Sequence, residues 1–429
     1  MSNIDLNRFS PVAVPSTGTV LSVENYLTSK KPQIETWLEQ KLSDHPVPFY
    51  CSVDVRNAGF KIAPVDTNLF PAGFNNLGQS EHFCVEAVKK VFEQDHPLVK
   101  KILIIPEDHT RNVHYYENIF IIQDILEKAG LQVNIGSLLS ELDQPKIVDL
   151  PSGKQLTLHP LSRKHNKLQI NDFIPDLILL NNDLSNGVPV LLEDIDQIII
   201  PPVNAGWHTR LKSVHFNHYQ QVATEFASEF DLDPWLLAPL FKYCGKVNFM
   251  ASKNGEHCIA RRSEELFREI ETQYKKFSVT QQPYIVVKAD AGTYGMAVMM
   301  IQDPKELLSI NRKDRTRMAS IKGGREVHQV IIQEGVHTLE TRGEKRFTAE
   351  PVIYMIGKKV VGGFYRVHEA KGFNENLNAP GMHFESFDPS NEEENQRIYA
   401  YGVIARLALI AAARELNITT PAEGNNNAG

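Results

Sequence analysis

SVDVRNAGFKIAPVDTNLFPAGFNN, residues 52–76, is the stretch on which the reading of the fold turns. Partial alternation from Phe49 to Arg56, a turn at Asn57-Ala-Gly59 and a second apolar run from Phe60 to Val65 predict a β-hairpin over 49–65. The chain then continues into Asp66-Thr-Asn68 and a loop containing Pro71 and Gly73. Side chains two apart on a strand share a face, so Asp66 and Asn68 point together while Asp54 sits on the neighbouring strand. Three oxygen donors can meet there, a set that suits Mg2+, which favours hard oxygen ligands and completes its shell with phosphate oxygens and water. A hairpin carrying solvated acids would satisfy the same residues, and the rest of the chain has to separate the two.

At 429 residues the chain is longer than one hydrophobic core usually supports, so several lobes with a cleft between them are expected. Its 42% hydrophobic and 23% charged residues are ordinary for a globular protein, and no run approaches the roughly 18 apolar residues of a membrane span. No membrane association is expected. The opening MSNIDLNRFSPVAVPSTGTV lacks the basic-then-apolar pattern of a secretion signal, which makes a cytoplasmic location the expectation. A net charge of −7 argues against a nucleic-acid surface and leaves small anions held by local cations. Cys51, Cys84, Cys244 and Cys258 show neither CxxC nor zinc-ligand spacing and are assigned no chemistry. A homo-oligomer stays open.

The organisation follows from periodicity. Residues 1–45 read as a Pro/Ser/Thr-rich tail and a helix carrying Tyr26, Ile34, Leu38 and Leu42. Over 81–225 a helix from Glu81, a strand at 101–105, a helical stripe over 117–130 that stops at Gly130 and a strand from Gln132 predict a Rossmann-like α/β lobe. Two further apolar runs, 177–180 and 197–200, end in the polar loops Asn181-Asn-Asp183 and Pro201-Pro-Val-Asn204, and strand-end loops are where open α/β sheets bind ligands. Residues 226–429 carry strands at 284–288, 298–301, 330–333 and 352–356, expected to be mostly antiparallel, then a helix over 395–416 and a polar tail that reads as disordered.

Within that last segment Lys288 closes a strand and leads into Ala289-Asp-Ala-Gly292-Thr-Tyr-Gly295, where two glycines let backbone amides approach phosphate beside the lysine. A plain glycine hairpin is the competing reading. Gln333-Glu334-Gly335-Val336 follows a second apolar strand; its backbone can pair with an adenine edge and its carboxylate with ribose, or it is a strand running into an exposed turn. Arg111 and Arg210, on probable cleft loops, can each pair bidentately with a substrate carboxylate or form ordinary loop salt bridges. His109 and His208 on the same loops are equally well read as loop caps.

The order of these parts, with Gly343-Glu-Lys-Arg346, Arg366 and Asn376 after them, resembles the ATP-grasp superfamily. By that resemblance Arg366 holds ATP or acyl-phosphate oxygens from an exposed cleft position, Asn376 or Asn378 lies near the phosphates, and Lys246 is a second nucleotide lysine. The superfamily's metal-binding strands would follow the last helix; here their pattern of Asp54, a turn and Asp66-x-Asn68 stands at the other end of the chain, which implies a circularly permuted ATP-grasp domain. The implied division is 1–45 tail and helix, 46–80 permuted metal-binding hairpin, 81–225 substrate lobe and 226–429 nucleotide-binding lobes. The strings VDTNLFPAGFNNL, IPEDHTRN, KADAGTYGMAV, VIIQEGV and NLNAPGMHF, spread over nearly the whole length, look like the proteobacterial-type glutamate–cysteine ligases. That resemblance implies ligation of the glutamate γ-carboxylate to the cysteine amine through an acyl phosphate, with ATP and Mg2+, and gives no cysteine of the protein a catalytic role. Another ATP-grasp carboxylate–amine ligase and a non-catalytic ATP-binding regulator stand as alternatives.

Overall fold

A computed structural model describes residues 22–107, 112–139, 141–245, 247–249, 256–292, 296–308, 310–321, 324–388 and 391–418. The two tails, His109, Arg111, Lys246 and Gly295 lie outside the described residues. In chain order the elements are α1 (Val23–Ser29), α2 (Lys31–Ser43), β1 (Tyr50–Asn57), β2 (Ile62–Asn68), α3 (Glu81–Asp95), β3 (Lys101–Pro106), α4 (Val113–Lys128) and β4 (Gln132–Ser137). Then come β5 (Lys146–Asp149), β6 (Gln155–Pro160), β7 (Ser162–Lys164), β8 (Lys167–Gln169), β9 (Leu177–Asn181), β10 (Ile198–Ile200) and α5 (Lys212–Glu229). The remainder is β11 (Phe241–Cys244), α6 (Glu256–Lys276), β12 (Ile285–Ala289), β13 (Val298–Ile301), α7 (Arg312–Ala319), β14 (Val330–Glu334), β15 (Thr341–Arg342), β16 (Phe347–Ile356), β17 (Lys359–His368), β18 (Met382–Ser386) and α8 (Glu392–Ile418).

This is a mixed α/β protein built on three larger sheets. The predicted hairpin forms, with its second strand displaced toward the C-terminus so that Asp66-Thr-Asn68 belongs to it. Register slips between Asp54 and Val55, where Asp54 faces Asp66 but Val55 faces Pro64; Pro64 has no N–H to give the ladder, and such residues are tolerated at irregularities of this kind. β1 then pairs antiparallel with β16, with Asp54 beside Val352, inside the order β18-β17-β16-β1-β2. An N-terminal hairpin thus joins a sheet whose other long strands come from near the C-terminus.

The second sheet, β10-β9-β3-β4-β6-β5, is parallel except for its last strand. β9 is buried along its whole length, as a strand covered on both faces must be. The third, β11-β14-β12-β13, is antiparallel. α8 packs against β1, β2, α1 and α5, and its stretch from Ala400 to Ala413 is apolar nearly all round and almost wholly buried. A helix of that kind belongs in a core rather than on a surface, and here it backs the strands that carry Asp54 and Asp66.

Candidate active-site cleft

Strand alternation decides which side chains meet. On the first sheet one face presents Ser52, Asp54 and Arg56 from β1, Asp66 and Asn68 from β2, Glu350, Val352 and Tyr354 from β16, and Phe364 and Arg366 from β17. The third sheet contributes Val286 and Lys288, Val298 and Met300, and Gln333. These residues enclose a cleft of about 1160 Å3, whose remaining wall includes Glu107, Asn112, Tyr115, Asp183 and Asn186 from the ends of β3 and β9 and the segments after them. Of the two strand-end loops singled out in the sequence, 181–183 reaches the cleft through Asp183, whereas 201–204 does not line it.

Charge is concentrated on the first sheet. Arg366 Nη1 lies 2.9 Å from Asp54 Oδ2 and 2.5 Å from Glu350 Oε1, and Arg56 Nε lies 2.8 Å from Glu350 Oε2. Burial raises the Asp54 carboxyl above its ordinary value, the Glu350 and Asp66 carboxylates push it the same way, and Arg366 opposes them. Burial would raise Glu350 too, but Arg56 and Arg366 outweigh it and hold that group low. At Asp66 burial is overcome by Lys212 and Lys288, which hold the carboxyl at about 2. Lys288 donates to Val65 O and Gln333 Oε1, both at 2.7 Å, and burial pushes its ammonium down to about 8.

Most predicted residues line this cleft: Asp54, Asp66, Asn68, Lys288, Gly292, Gln333, Glu334, Val336, Arg366, Asn376 and Asn378. Gly292 has φ +115, the left-handed conformation that its loop needs. Three expectations change. Arg366 is 8% exposed and its two Nη atoms pair with the carboxylates of Asp54 and Glu350, so it is a buried ion-pair centre rather than an exposed arginine. The Glu334 carboxylate is committed to Lys61 Nζ at 2.7 Å, Trp235 Nε1 at 3.0 Å and Leu240 N at 2.8 Å, which turns it away from a ribose role. Arg210 does not line the cleft. It pairs with Glu415, Nε to Oε1 at 3.0 Å, and donates to Thr67 O at 2.8 Å, bracing β2 from behind. His208, half-buried, does not line the cleft either.

Sequence reading missed Lys212, Arg56 and Glu350. Glu350 and Arg56 were findable from strand alternation with Val352 and Asp54. Lys212 carries one faint signal: it opens α5, where the helix dipole disfavours a cation. Its Nζ lies 2.7 and 2.9 Å from the two Asp66 oxygens. Asp290, from the loop after β12, supplies the missing cap, accepting from Ser213 N at 2.7 Å and Ser213 Oγ at 2.6 Å. The predicted phosphate loop is thereby tied to α5.

The carboxylate and carboxamide donors on one sheet face suit a hard cation such as Mg2+ in chemistry. Among the described residues no three His, Cys, Asp or Glu side chains are gathered at metal-binding range, and Asp54 and Asp66 are each engaged by a cation. Asp54, Asp66 and Asn68 are the residues that would hold such an ion, in competition with Arg366 and Lys212 for the two carboxylates.

Fold and cleft together define a mixed α/β protein with a charged crevice between two antiparallel sheets, walled in part by strand-end residues of a parallel one. A family model described as glutamate-cysteine ligase matches residues 24–416. The chain belongs to the glutamate-cysteine ligase family. A crystal structure at 1.90 Å of a Methylobacillus flagellatus KT protein assigned as gamma-glutamylcysteine synthetase superposes with TM-score 0.85 at 45% identity, covering 92% of this chain and 96% of that one. D-alanyl-alanine synthetase A from Vibrio cholerae and a glutathione synthetase-like effector from Globodera pallida give TM-scores of 0.34 and 0.35, each at 10% identity. They cover 72% and 80% of this chain, and 81% and 76% of their own, and are too distant to carry an argument. None of the curated proteins compared matches the chain.

Proposed function

We propose that this cleft joins the γ-carboxylate of glutamate to the amine of cysteine at the expense of ATP, with Mg2+ held by Asp54, Asp66 and Asn68. The observation that carries the reading is the in-register pair Asp54 and Asp66 ringed by Arg366, Lys212 and Lys288 at the mouth of the α/β strand-end loops. ATP lies between the two antiparallel sheets. Its adenine packs on Val286, Val298 and Met300 and pairs with the linker backbone at Glu334 to Val336. Its phosphates run toward Lys288 and Gly292. Asn376 closes the phosphate end.

Asp54, Asp66 and Asn68 would hold Mg2+, which when bound would supply positive charge to the phosphate oxygens. A γ-carboxylate oxygen attacks the terminal phosphorus, the bond to the bridging oxygen breaks, and ADP leaves. The cysteine amine then attacks the acyl carbon, phosphate departs, and one proton passes to solvent. Charge spreads over phosphoryl oxygens in the first step, so cations fixed by packing do the work; removing one preorganised electrostatic partner typically costs about 10²–10³ in turnover. Lys288 and Arg366 are assigned that role.

ADP release by the full chain with Mg-ATP, each amino acid being omitted in turn and the product weighed by mass, tests the reading. Release that needs both, with γ-glutamylcysteine formed, supports it. Turnover with another amine and carboxylate points to a different ligase of this class, and ATP binding with no amino-acid-dependent turnover points to a regulator.

A further inference from the structure

Among the described cleft cations Lys212 is the one carried by a helix, Arg56, Lys288 and Arg366 standing on strands. It is the first residue of α5, at the positive end of the helix dipole, an end that the Asp290 carboxylate caps through Ser213 N and Oγ. Its backbone N–H donates to Asp290 O at 2.7 Å, which fixes the helix start against the loop that follows Lys288. The side chain is 7% exposed, with its ammonium 4.3 Å from the centre of the buried Trp207 ring and against both Asp66 oxygens. Trp207 in turn donates its backbone N–H to Asp183 O, in the polar loop that ends β9.

Two ammonium groups therefore flank the end of β2 at adjacent residues. Lys288 reaches Val65 O from the nucleotide sheet, and Lys212 reaches Asp66 from the side of the strand-end loops. Phosphoryl transfer to a carboxylate must bring two anions together. The cation that relieves their repulsion has to stand near both, and Lys212 lines the same cleft as Asp66 and Asp183.

We infer that Lys212 is a catalytic residue of the ligase reaction, its ammonium bridging Asp66 and the γ-carboxylate of the acidic substrate as that carboxylate becomes an acyl phosphate. This rests on the ligase reading given above. In the transfer, a carboxylate oxygen forms the new bond to phosphorus, ADP takes the electron pair of the breaking bond, and Lys212 keeps its proton throughout. The residue serves as a fixed charge and not as an acid.

The test compares wild type, Lys212→Gln and Lys212→Arg in the full chain. Turnover, KM for glutamate, Kd for Mg-ATP, melting temperature and the yield of hydroxamate when hydroxylamine traps the acyl phosphate are measured for each. Expected for Lys212→Gln is a fall in kcat of about 10² or more with a parallel fall in hydroxamate, while Kd for Mg-ATP changes by less than about threefold. Lys212→Arg, which keeps the charge and the pairing with Asp66, should recover about tenfold over the glutamine variant. Lys212→Gln with near wild-type kcat overturns the inference. So does a loss matched by equal losses of melting temperature and ATP affinity, with no recovery in Lys212→Arg, because that is the signature of a structural ion pair. Wild-type protein that makes no product from glutamate and cysteine overturns the ligase reading itself, an outcome visible before any variant is compared.

Discussion

Asp54 on β1 and Asp66 on β2 are direct partners across the hairpin, and each is held by a cation from a distant element, Arg366 of β17 for the first and Lys212 of α5 for the second. Two carboxylates set side by side in a half-buried cleft wall repel one another unless positive charge is shared between them, and here each has its own cation.

Loss of the paired donors should show first in the metal dependence. Asp66→Asn and Asn68→Ala are each expected to reduce Mg2+-dependent turnover by about 10² or more and to shift the Mg2+ titration to higher concentration, with the folded state retained by circular dichroism. Wild-type titration curves in both variants would remove these residues from the metal site.

Arg366→Ala should damage folding as well as turnover. Because Arg366 compensates both Asp54 and Glu350, its removal leaves Asp54 without its cation and Glu350 with Arg56 alone, and breaking a buried pair in this way costs about 3–5 kcal/mol. Urea unfolding checks this; a stability loss under about 1 kcal/mol would contradict the buried-pair account.

Nucleotide affinity is expected to fall as pH rises through about 8. Burial holds the Lys288 ammonium at about 8 in the ligand-free protein, below its usual 10.5, so above that pH the amine is neutral and binding of a phosphate must draw in a proton. Calorimetry of ATP binding from pH 7 to 9.5, in buffers of different ionisation heat, should show growing proton uptake. Lys288→Arg should flatten the dependence. Lys61 is also depressed to about 8 by burial, but it pairs with Glu334 behind the linker and remains in that variant, which separates the two groups.

Stability should decline in acid through Glu415 and His215. At Glu415 burial is outweighed by Arg210 and His215, which lower the folded-state value to about 2 from 4.5; its contribution is complete above about 4.5 and lost as pH falls toward 2. His215 is lowered by burial, so the folded state prefers the neutral ring and loses stability as pH drops below 6.5 toward the depressed value. Both effects have one sign. Glu415→Gln should shrink the loss between pH 4.5 and 2 and should also lower stability at neutral pH, since it leaves Arg210 underpaired; thermal melts from pH 7.5 to 3 follow both.

Local periodicity in the sequence determined the hairpin, the shared face of Asp66 and Asn68, the strand that delivers Lys288 and the final apolar helix, because each is set by residues a few positions apart. Family resemblance carried the chemistry assigned to them. What the tertiary structure alone decided is which charges meet. Lys212 and Asp66, Arg366 and Glu350, and Arg210 and Glu415 become partners through the packing of separate sheets and helices. The same packing brings Cys244 Sγ to 3.0 Å from Cys258 Sγ, a closeness that their spacing in the chain did not suggest. Burial followed from that packing too, and it turned Arg366 from an expected exposed cleft residue into an ion-pair centre and withdrew Arg210 behind β2. Such outcomes depend on distances between elements far apart in the chain, and no pattern of neighbouring residues encodes those distances.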